Sequence, residues 1–313
     1  MVAANGICLA VHEQGVGPPV ILLHGFPELA YSWRHQLPAL AAAGYRAIAP
    51  DQRGYGASDK PGGVAQYTIQ KLIGDVLGLM QAYKIDKALF VGHDWGALIL
   101  WHMALSHAAK IDGMIILNIP FHASPAIDPI QLMRERLGDH FYIVNFQDSD
   151  QADRRFAADV PHFFDIMMRR DQVTRERFEQ LPAEKRVLNL LLAMEREKSG
   201  GEPLLSPRER AVYIKAFEAG GFTGPINWYR NWHHNWRSYR GLPQRVDVPT
   251  LFIGATDDVV VAPRHIEAMK PNVADLEVRM IERCGHWTQQ ERPDEVNNLM
   301  LDWLQRRFPV CRQ

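Results

Sequence analysis

Short apolar runs alternate with longer stretches of helical period through the first third of the chain. Gly6–Val11 and Pro19–Leu23 flank a GVGPP turn, the pattern of two strands joined as a hairpin. Ser32–Ala43 carries apolar residues at helical spacing and stops at Gly44, and Tyr45–Ala49 reads as the next strand. After the turn-rich DQRGYGASDKPGG, Thr68–Tyr83 reads as a helix with Thr68 as its N-cap. Ala88–Val91 is then a buried strand, Ala97–His107 a helix and Met114–Leu117 a further strand. Strand, helix and strand in repetition predict right-handed crossovers and a mostly parallel sheet flanked by helices, an α/β fold.

The rhythm breaks at Pro120. From about Phe121 to Arg240 no buried strand is expected, and Arg154–Arg169 and Pro182–Lys198 carry helical patterns. The stretch ends on the aromatic run INWYRNWHHNW, Ile226–Trp236. Alternation resumes with a strand at Thr250–Ile253, a helix near Arg264–Met269, a strand at Glu277–Ile281 and a helix over Pro293–Arg306. We therefore expect a core domain made of residues 1–120 and 241–313, interrupted by a helical cap over residues 121–240.

Composition narrows the partners. Of 313 residues, 47% are apolar and 23% charged, and the formal net charge is −1. No block of Lys and Arg tracks a phosphate backbone, so nucleic acid is not an expected partner. Cys8, Cys284 and Cys311 are odd in number, far apart and without C-x-x-C spacing, which argues against a disulfide framework or a zinc site and fits a reducing compartment. The N-terminus lacks the basic and apolar regions of a signal peptide, and the apolar runs are too short to span a bilayer. The expectation is a soluble, cytoplasmic protein without membrane insertion.

The candidate chemistry begins in ALFVGHDWGAL, residues 88–98, a buried strand, a sharp turn and a helix. Gly92-His93-Asp94-Trp95-Gly96 has the form G-x-Nuc-x-G, with Asp where serine hydrolases carry Ser. The glycines suit a strained turn in which strand and helix backbones approach closely. A lone Asp before a helix is usually its N-cap; the strand before it and the glycines on either side point instead to a nucleophile. A carboxylate is ionised at neutral pH and displaces at saturated carbon, giving an alkyl ester that water must then cleave.

That second step needs a base and a group to orient it. His286, in Cys284-Gly285-His286-Trp287, follows the last expected strand, and Asp257 and Asp258 follow Thr250–Ile253. Either aspartate could orient the imidazole, and the order nucleophile, acid, histidine suits this kind of fold. His24-Gly25-Phe26-Pro27 follows a strand where the other half of an oxyanion hole is expected. Its donors would be the backbone N–H groups of Phe26 and Trp95. Phe26–Pro27 is a candidate cis bond.

The motifs HGFPE (24–28), YSWRHQ (31–36), DQRGYGASD (51–59), GHDWG (92–96) and GHWTQ (285–289) together resemble the epoxide hydrolases of the α/β-hydrolase fold, over nearly the whole chain. The resemblance implies two cap tyrosines that activate the epoxide oxygen. One falls on Tyr142, in HFYIVNFQ; the other on Tyr213, upstream of GFTGPINWYR at 221–230. It aligns the orienting acid on Asp258, with Asp257 as fallback, and leaves Tyr229 with a structural role. The family segment after FQ usually reads like E-P-G-x-A-E, whereas this chain has DSDQADRRF, so the loop at Asp148–Asp153 is expected to differ.

The implied reaction is an epoxide plus water going to a vicinal diol through an ester on Asp94, with a small-molecule substrate and no cofactor or metal. A homodimer is left open. A haloalkane dehalogenase would share the nucleophile, the base and Trp95, but usually has Asn where this chain has Phe26. A fluoroacetate dehalogenase would carry Arg in place of Trp95. A non-catalytic binding protein on the same fold would be expected to have lost a member of the triad.

Overall fold

A computed structural model describes residues 1–170, 173–182, 185–197 and 200–310. Among the described residues the strands run β1 (Val2–Ala4), β2 (Ile7–Leu9), β3 (Val11–Gln14), β4 (Pro19–Leu23), β5 (Arg46–Pro50), β6 (Ala88–His93), β7 (Ile111–Leu117), β8 (Arg169–Arg170), β9 (Glu202–Pro203), β10 (Thr250–Ala255) and β11 (Leu276–Ile281). Seven form the central sheet, in the order β11-β10-β7-β6-β4-β5-β3. All its pairings are parallel except that of β3 with β5.

The expected hairpin is not found. The first run breaks at Ala10: β2 pairs with β1 in a separate two-stranded ribbon, and β3 pairs with β5 rather than with β4. The GVGPP turn carries the chain past β5, so β4 enters the sheet one place further in. Sequence proximity suggested a hairpin, but a parallel β4–β5 pair with β3 outside it buries β4 on both faces.

Strand residues alternate between two apolar layers, as a period of two requires. Val20, Leu22, Leu89, Val91, Ile115 and Leu251 face a layer closed by the helices Gln36–Ala42 and Pro293–Arg307. Ile21, Leu23, Phe90, Met114, Ile116 and Phe252 face the other, closed by the helices Ile69–Ala82 and Trp95–His107. Thr68 caps the first of these, accepting from the Lys71 N–H at 3.4 Å. The helix expected over Ser32–Ala43 is split into a 3-10 turn, Ala30–Trp33, and the helix Gln36–Ala42. Pro38 explains the split, since its ring would clash with the Arg34 carbonyl in a continuous helix.

Between β7 and β10 the regular elements among the described residues are helices, apart from the exposed two-residue ladder β8–β9. The pattern at Arg154–Arg169 resolves into Gln151–Ala157 and Val160–Met167, interrupted where Asp159 caps the second helix and Pro161 opens it. Of Pro182–Lys198, only Leu190–Ala193 is α-helix among the described residues; positions 183, 184 and 198 lie outside them, as does Cys311. The longest helix of this stretch among the described residues, Pro207–Gly220, starts from a full capping box in which the side chains of Ser206 and Glu209 each bond the other's backbone N–H. Apolar residues of this stretch, among them Phe146, Phe163, Phe217 and Trp228, merge with the layer closed by the helices Ile69–Ala82 and Trp95–His107. At the far edge of the sheet, β11 shows Glu277 and Arg279, paired at 2.8 Å. Among the described residues no helix is long and apolar enough to cross a membrane.

Candidate active site

Loops leaving the carboxyl ends of β4, β6, β7, β10 and β11 bring Phe26, Asp94, Asn118, Asp258 and His286 to one rim of the sheet. Asp94 sits between β6 and the helix Trp95–His107 with φ 50° and ψ −116°. A side chain at positive φ is uncommon outside glycine, and here the surroundings enforce it. A Cβ on Gly96 would stand 1.9 Å from the Leu23 carbonyl oxygen, and one on Gly92 2.7 Å from that of Gly96. The expected helix start at Ala97 is two residues late, and Trp95 is the first helical residue. Asp94 makes no side-chain cap bond to its helix.

The HGFP loop closes on the same carboxylate. The Phe26 N–H donates to Asp94 Oδ1 at 2.9 Å, and a Cβ on Gly25 would lie 2.3 Å from the Asp94 Cβ. Phe26–Pro27 is cis. The loop is held from below by DQRG: the Gln52 N–H donates to His24 Nε2 at 3.1 Å, and Asp51 accepts from the N–H groups of Ala30 and Ala57. The backbone N–H of Trp95 opens its helix, where no intrahelical acceptor exists.

On the other side of Asp94, His286 places Nε2 3.8 Å from Oδ2, while its Nδ1 lies 2.9 Å from Asp258 Oδ2. Asp258 is buried and also accepts from Asn118 Nδ2 at 2.8 Å and from the Val260 N–H at 2.9 Å. Burial would raise its carboxyl, but His286 and these donors hold it below the usual carboxylate range. Burial would likewise lower the His286 imidazole; the charge of Asp258, then those of Asp94 and Glu28, bring it up to about 9. Asp257, the fallback, accepts from the Arg175 N–H at 2.9 Å.

A cavity of about 720 Å³ opens over Asp94, within the size range of small-molecule sites. Phe26, His286, Tyr142 and Tyr229 line it near the carboxylate, and aliphatic residues such as Ile166, Leu188 and Val260 line it further out. Burial, and then the negative charges of Asp94 and Asp258, raise the Tyr142 hydroxyl, so it stays protonated and able to donate. The two expected tyrosines do not meet. Tyr213 is fully buried but absent from the cavity wall. Its hydroxyl lies 2.8 Å from Ser32 Oγ and donates to Gln290 Oε1 at 3.1 Å. A buried hydroxyl takes whatever partners are in reach, and these two lie on the core side. Tyr229, expected to be structural, stands beside Tyr142 with ring centroids 5.7 Å apart.

Some polar groups of this rim were given no role by the sequence. Glu28 is fully buried and faces His93 Nδ1 at 2.7 Å, and His93 Nε2 faces the His286 carbonyl oxygen at 2.8 Å. Burial would raise Glu28, yet the His93 ring and the Gly25 N–H bring it down to about 2. Gln289 and Gln290 each donate to Glu28 Oε1 at 2.8 Å. Glu28, His93 and Gln289 all sit inside motifs already singled out; Asn118 does not, and only its position after a strand marked it. The divergent segment after Gln147 docks on NWYR: Arg230 donates to Asp153 Oδ1 at 3.0 Å and to the Ser149 carbonyl at 2.8 Å.

Residues 18–293 match a family model described as alpha/beta hydrolase fold. Epoxide hydrolase A of Mycobacterium tuberculosis is 39% identical over 312 residues, covering 97% of this chain and 96% of the relative. The mouse bifunctional epoxide hydrolase 2 is 34% identical over 302 residues, which span 96% of this chain but 54% of that protein. Among solved structures, epoxide hydrolase A from Mycobacterium thermoresistibile superposes with a TM-score of 0.85 at 34% identity, over 97% of both chains. An epoxide hydrolase from Vigna radiata gives 0.84 at 33% identity, over 97% of this chain and 96% of the other.

Proposed function

The chain belongs to the α/β-hydrolase fold family and, within it, to the epoxide hydrolases, and from that premise we propose that it adds water to an epoxide through an ester on Asp94. The product is a vicinal diol. The observation that carries the mechanism is the division of labour between the two oxygens of Asp94. Oδ1 is held by the Phe26 N–H, and Oδ2 is turned toward His286.

Oδ2 attacks a ring carbon while Tyr142 gives its proton to the departing epoxide oxygen, leaving a β-hydroxyalkyl ester and a tyrosinate. Oδ1 becomes the carbonyl oxygen of that ester. Alkylation also removes the negative charge 3.8 Å from Nε2, which lowers the proton affinity of the imidazole. The imidazolium returns a proton to Tyr142 and becomes the base the second step requires. His286, oriented by Asp258, then takes a proton from water as it adds to the Asp94 carboxyl carbon. The charge that develops on Oδ1 is met by the N–H groups of Phe26 and Trp95. Collapse releases the diol and restores Asp94 and the imidazolium. The scheme draws on no metal or organic cofactor.

Tyr213 enters this scheme as a second donor once its hydroxyl leaves Ser32 and Gln290. Residues 121–240 serve as the cap over a core of residues 1–120 and 241–313. The substrate is a small molecule; a cytoplasmic location and a homodimeric state complete the proposal. A halide-releasing reaction is less well supported, because this chain has Phe26 where such dehalogenases usually carry Asn.

Single-turnover hydrolysis of styrene oxide in H₂¹⁸O tests the reading by mass spectrometry of the diol and of the Asp94 peptide. Unlabelled diol with ¹⁸O in Asp94 is expected. Labelled diol from the first turnover would mean that water attacks directly and that Asp94 is not the nucleophile.

A further inference from the structure

The loop between β10 and the helix Pro263–Met269 presents Asp258 to His286 and contributes Val259 and Val260 to the cavity wall. From the sheet side, Asp258 is held through its carboxylate by Asn118, while His286 reaches it from the loop after β11. From the opposite side the backbone of the same loop is gripped by a residue of the helical stretch, 82 positions earlier than Asp257. That residue is Arg175. Its N–H donates to Asp257 Oδ1 at 2.9 Å and its Nε–H to the Thr256 carbonyl at 3.2 Å, and Nη2 donates to the carbonyls of Asp258 and Val261. Nη1 also lies 3.5 Å from Glu179. The guanidinium is mostly covered, with 14% of the side chain exposed.

We propose that Arg175 is a positioning residue for the second half-reaction, acting as a latch that fixes the Asp258 loop to the segment above it. A planar guanidinium reaches several carbonyls at fixed angles, which a lysine ammonium on a flexible stem does not. Three peptide carbonyls of the loop are touched, those of Thr256, Asp258 and Val261, so the loop has little freedom to tilt Asp258 away from His286 while the latch is closed. The same grip sets the position of Val259 and Val260, coupling the cavity wall to the orienting acid. The inference rests on Asp258 being the orienting acid and His286 the base.

Because the imidazole acts as base only after the ester has formed, loss of the latch is expected to separate the two steps. In Arg175→Met, ester formation on Asp94 should stay close to wild type, while ester decay slows about tenfold, the effect of weakening one charged hydrogen bond. The pH dependence of decay should move to lower pH, since Asp258 then raises His286 less. Arg175→Lys should recover part of the decay rate. Proton NMR of the resting enzyme reads the same contact without substrate, and the low-field His286 Nδ1–H resonance should broaden or shift in Arg175→Met. If that variant does not fold, Asp257→Ala removes the backbone contact alone and should show a smaller change of the same kind. Equal slowing of both steps, or unchanged decay with an unchanged resonance, would overturn the proposal. A wild-type enzyme that forms no ester from any epoxide would sink the reaction scheme instead, and the resonance would still decide the latch.

Discussion

Asp94 differs from an ordinary helix-capping aspartate in the backbone beneath it and in where its oxygens point. Its φ of 50° lifts the carboxylate off the helix and into the ring of donors from Phe26 and His286. Asp94→Asn is expected to lower turnover by about 10⁴-fold or more, the scale on which loss of a nucleophile is felt. His286→Gln should form one equivalent of ester and then stall, seen by mass spectrometry of the intact protein after mixing with substrate; steady turnover by this variant would rule out the two-step scheme. Tyr142→Phe should slow ester formation about a hundredfold, as loss of a general acid does. Tyr213→Phe and Tyr229→Phe are then the informative pair: the scheme expects the first to slow ester formation and the second to leave it nearly unchanged. The reverse ranking, read by stopped-flow, would hand the second donor to the tyrosine already on the cavity wall. Ester decay should rise with pH, since the neutral imidazole is the active form. Its apparent pKa should fall below the value of about 9 set in the resting enzyme, where Asp94 still carries its charge.

At the scale of elements, glycines rather than caps decide whether the site assembles. Gly96→Ala would drive a methyl group to 1.9 Å from the Leu23 carbonyl, forcing the helix Trp95–His107 off β4. The expected loss is about 3 kcal/mol by urea titration, with activity falling alongside it. Ser206→Ala removes one arm of the capping box that starts the helix Pro207–Gly220 and should lower stability by about 1 kcal/mol with kcat unchanged. The elbow was legible in sequence because its glycines, its buried strand and its nucleophile fall within eleven adjacent residues. The β3–β5 pairing was not, because a neighbour along the chain and a neighbour in the sheet look alike until the sheet is built. Pro38 was visible, and its effect on the preceding turn was the signal passed over.

Across the whole molecule, the order of strands brings together residues that the sequence scatters. Asp94, Asp258 and His286 were each marked by a motif at a strand end, which is why their roles were readable before their distances. Asn118, Glu28 and Arg175 act through partners more than 60 positions away, and nothing local announces such a contact. Glu28 and His286 also link the site to global stability. The Glu28 carboxyl is lowered from 4.5 to about 2, so its contribution is present above its unfolded value and is lost as pH falls toward 2. The His286 imidazole is raised from 6.5 to about 9, so its contribution is complete below the unfolded value and is lost as pH rises through 9. Denaturation midpoints followed against pH should therefore lose their acid slope in Glu28→Gln and their alkaline slope in His286→Gln.

The outer strand β11 has a consequence for the protein in a crowded solution. Glu277 and Arg279 are paired there, and Arg306 donates to both Glu277 oxygens, at 2.9 Å and 3.1 Å. A second molecule adding its own strand along that border would have to strip water from this cluster of charges. Continuous sheets running from one molecule into the next are thereby discouraged. Replacing both Glu277 and Arg279 with valine should make the protein self-associate on concentration, in a form that light scattering would detect.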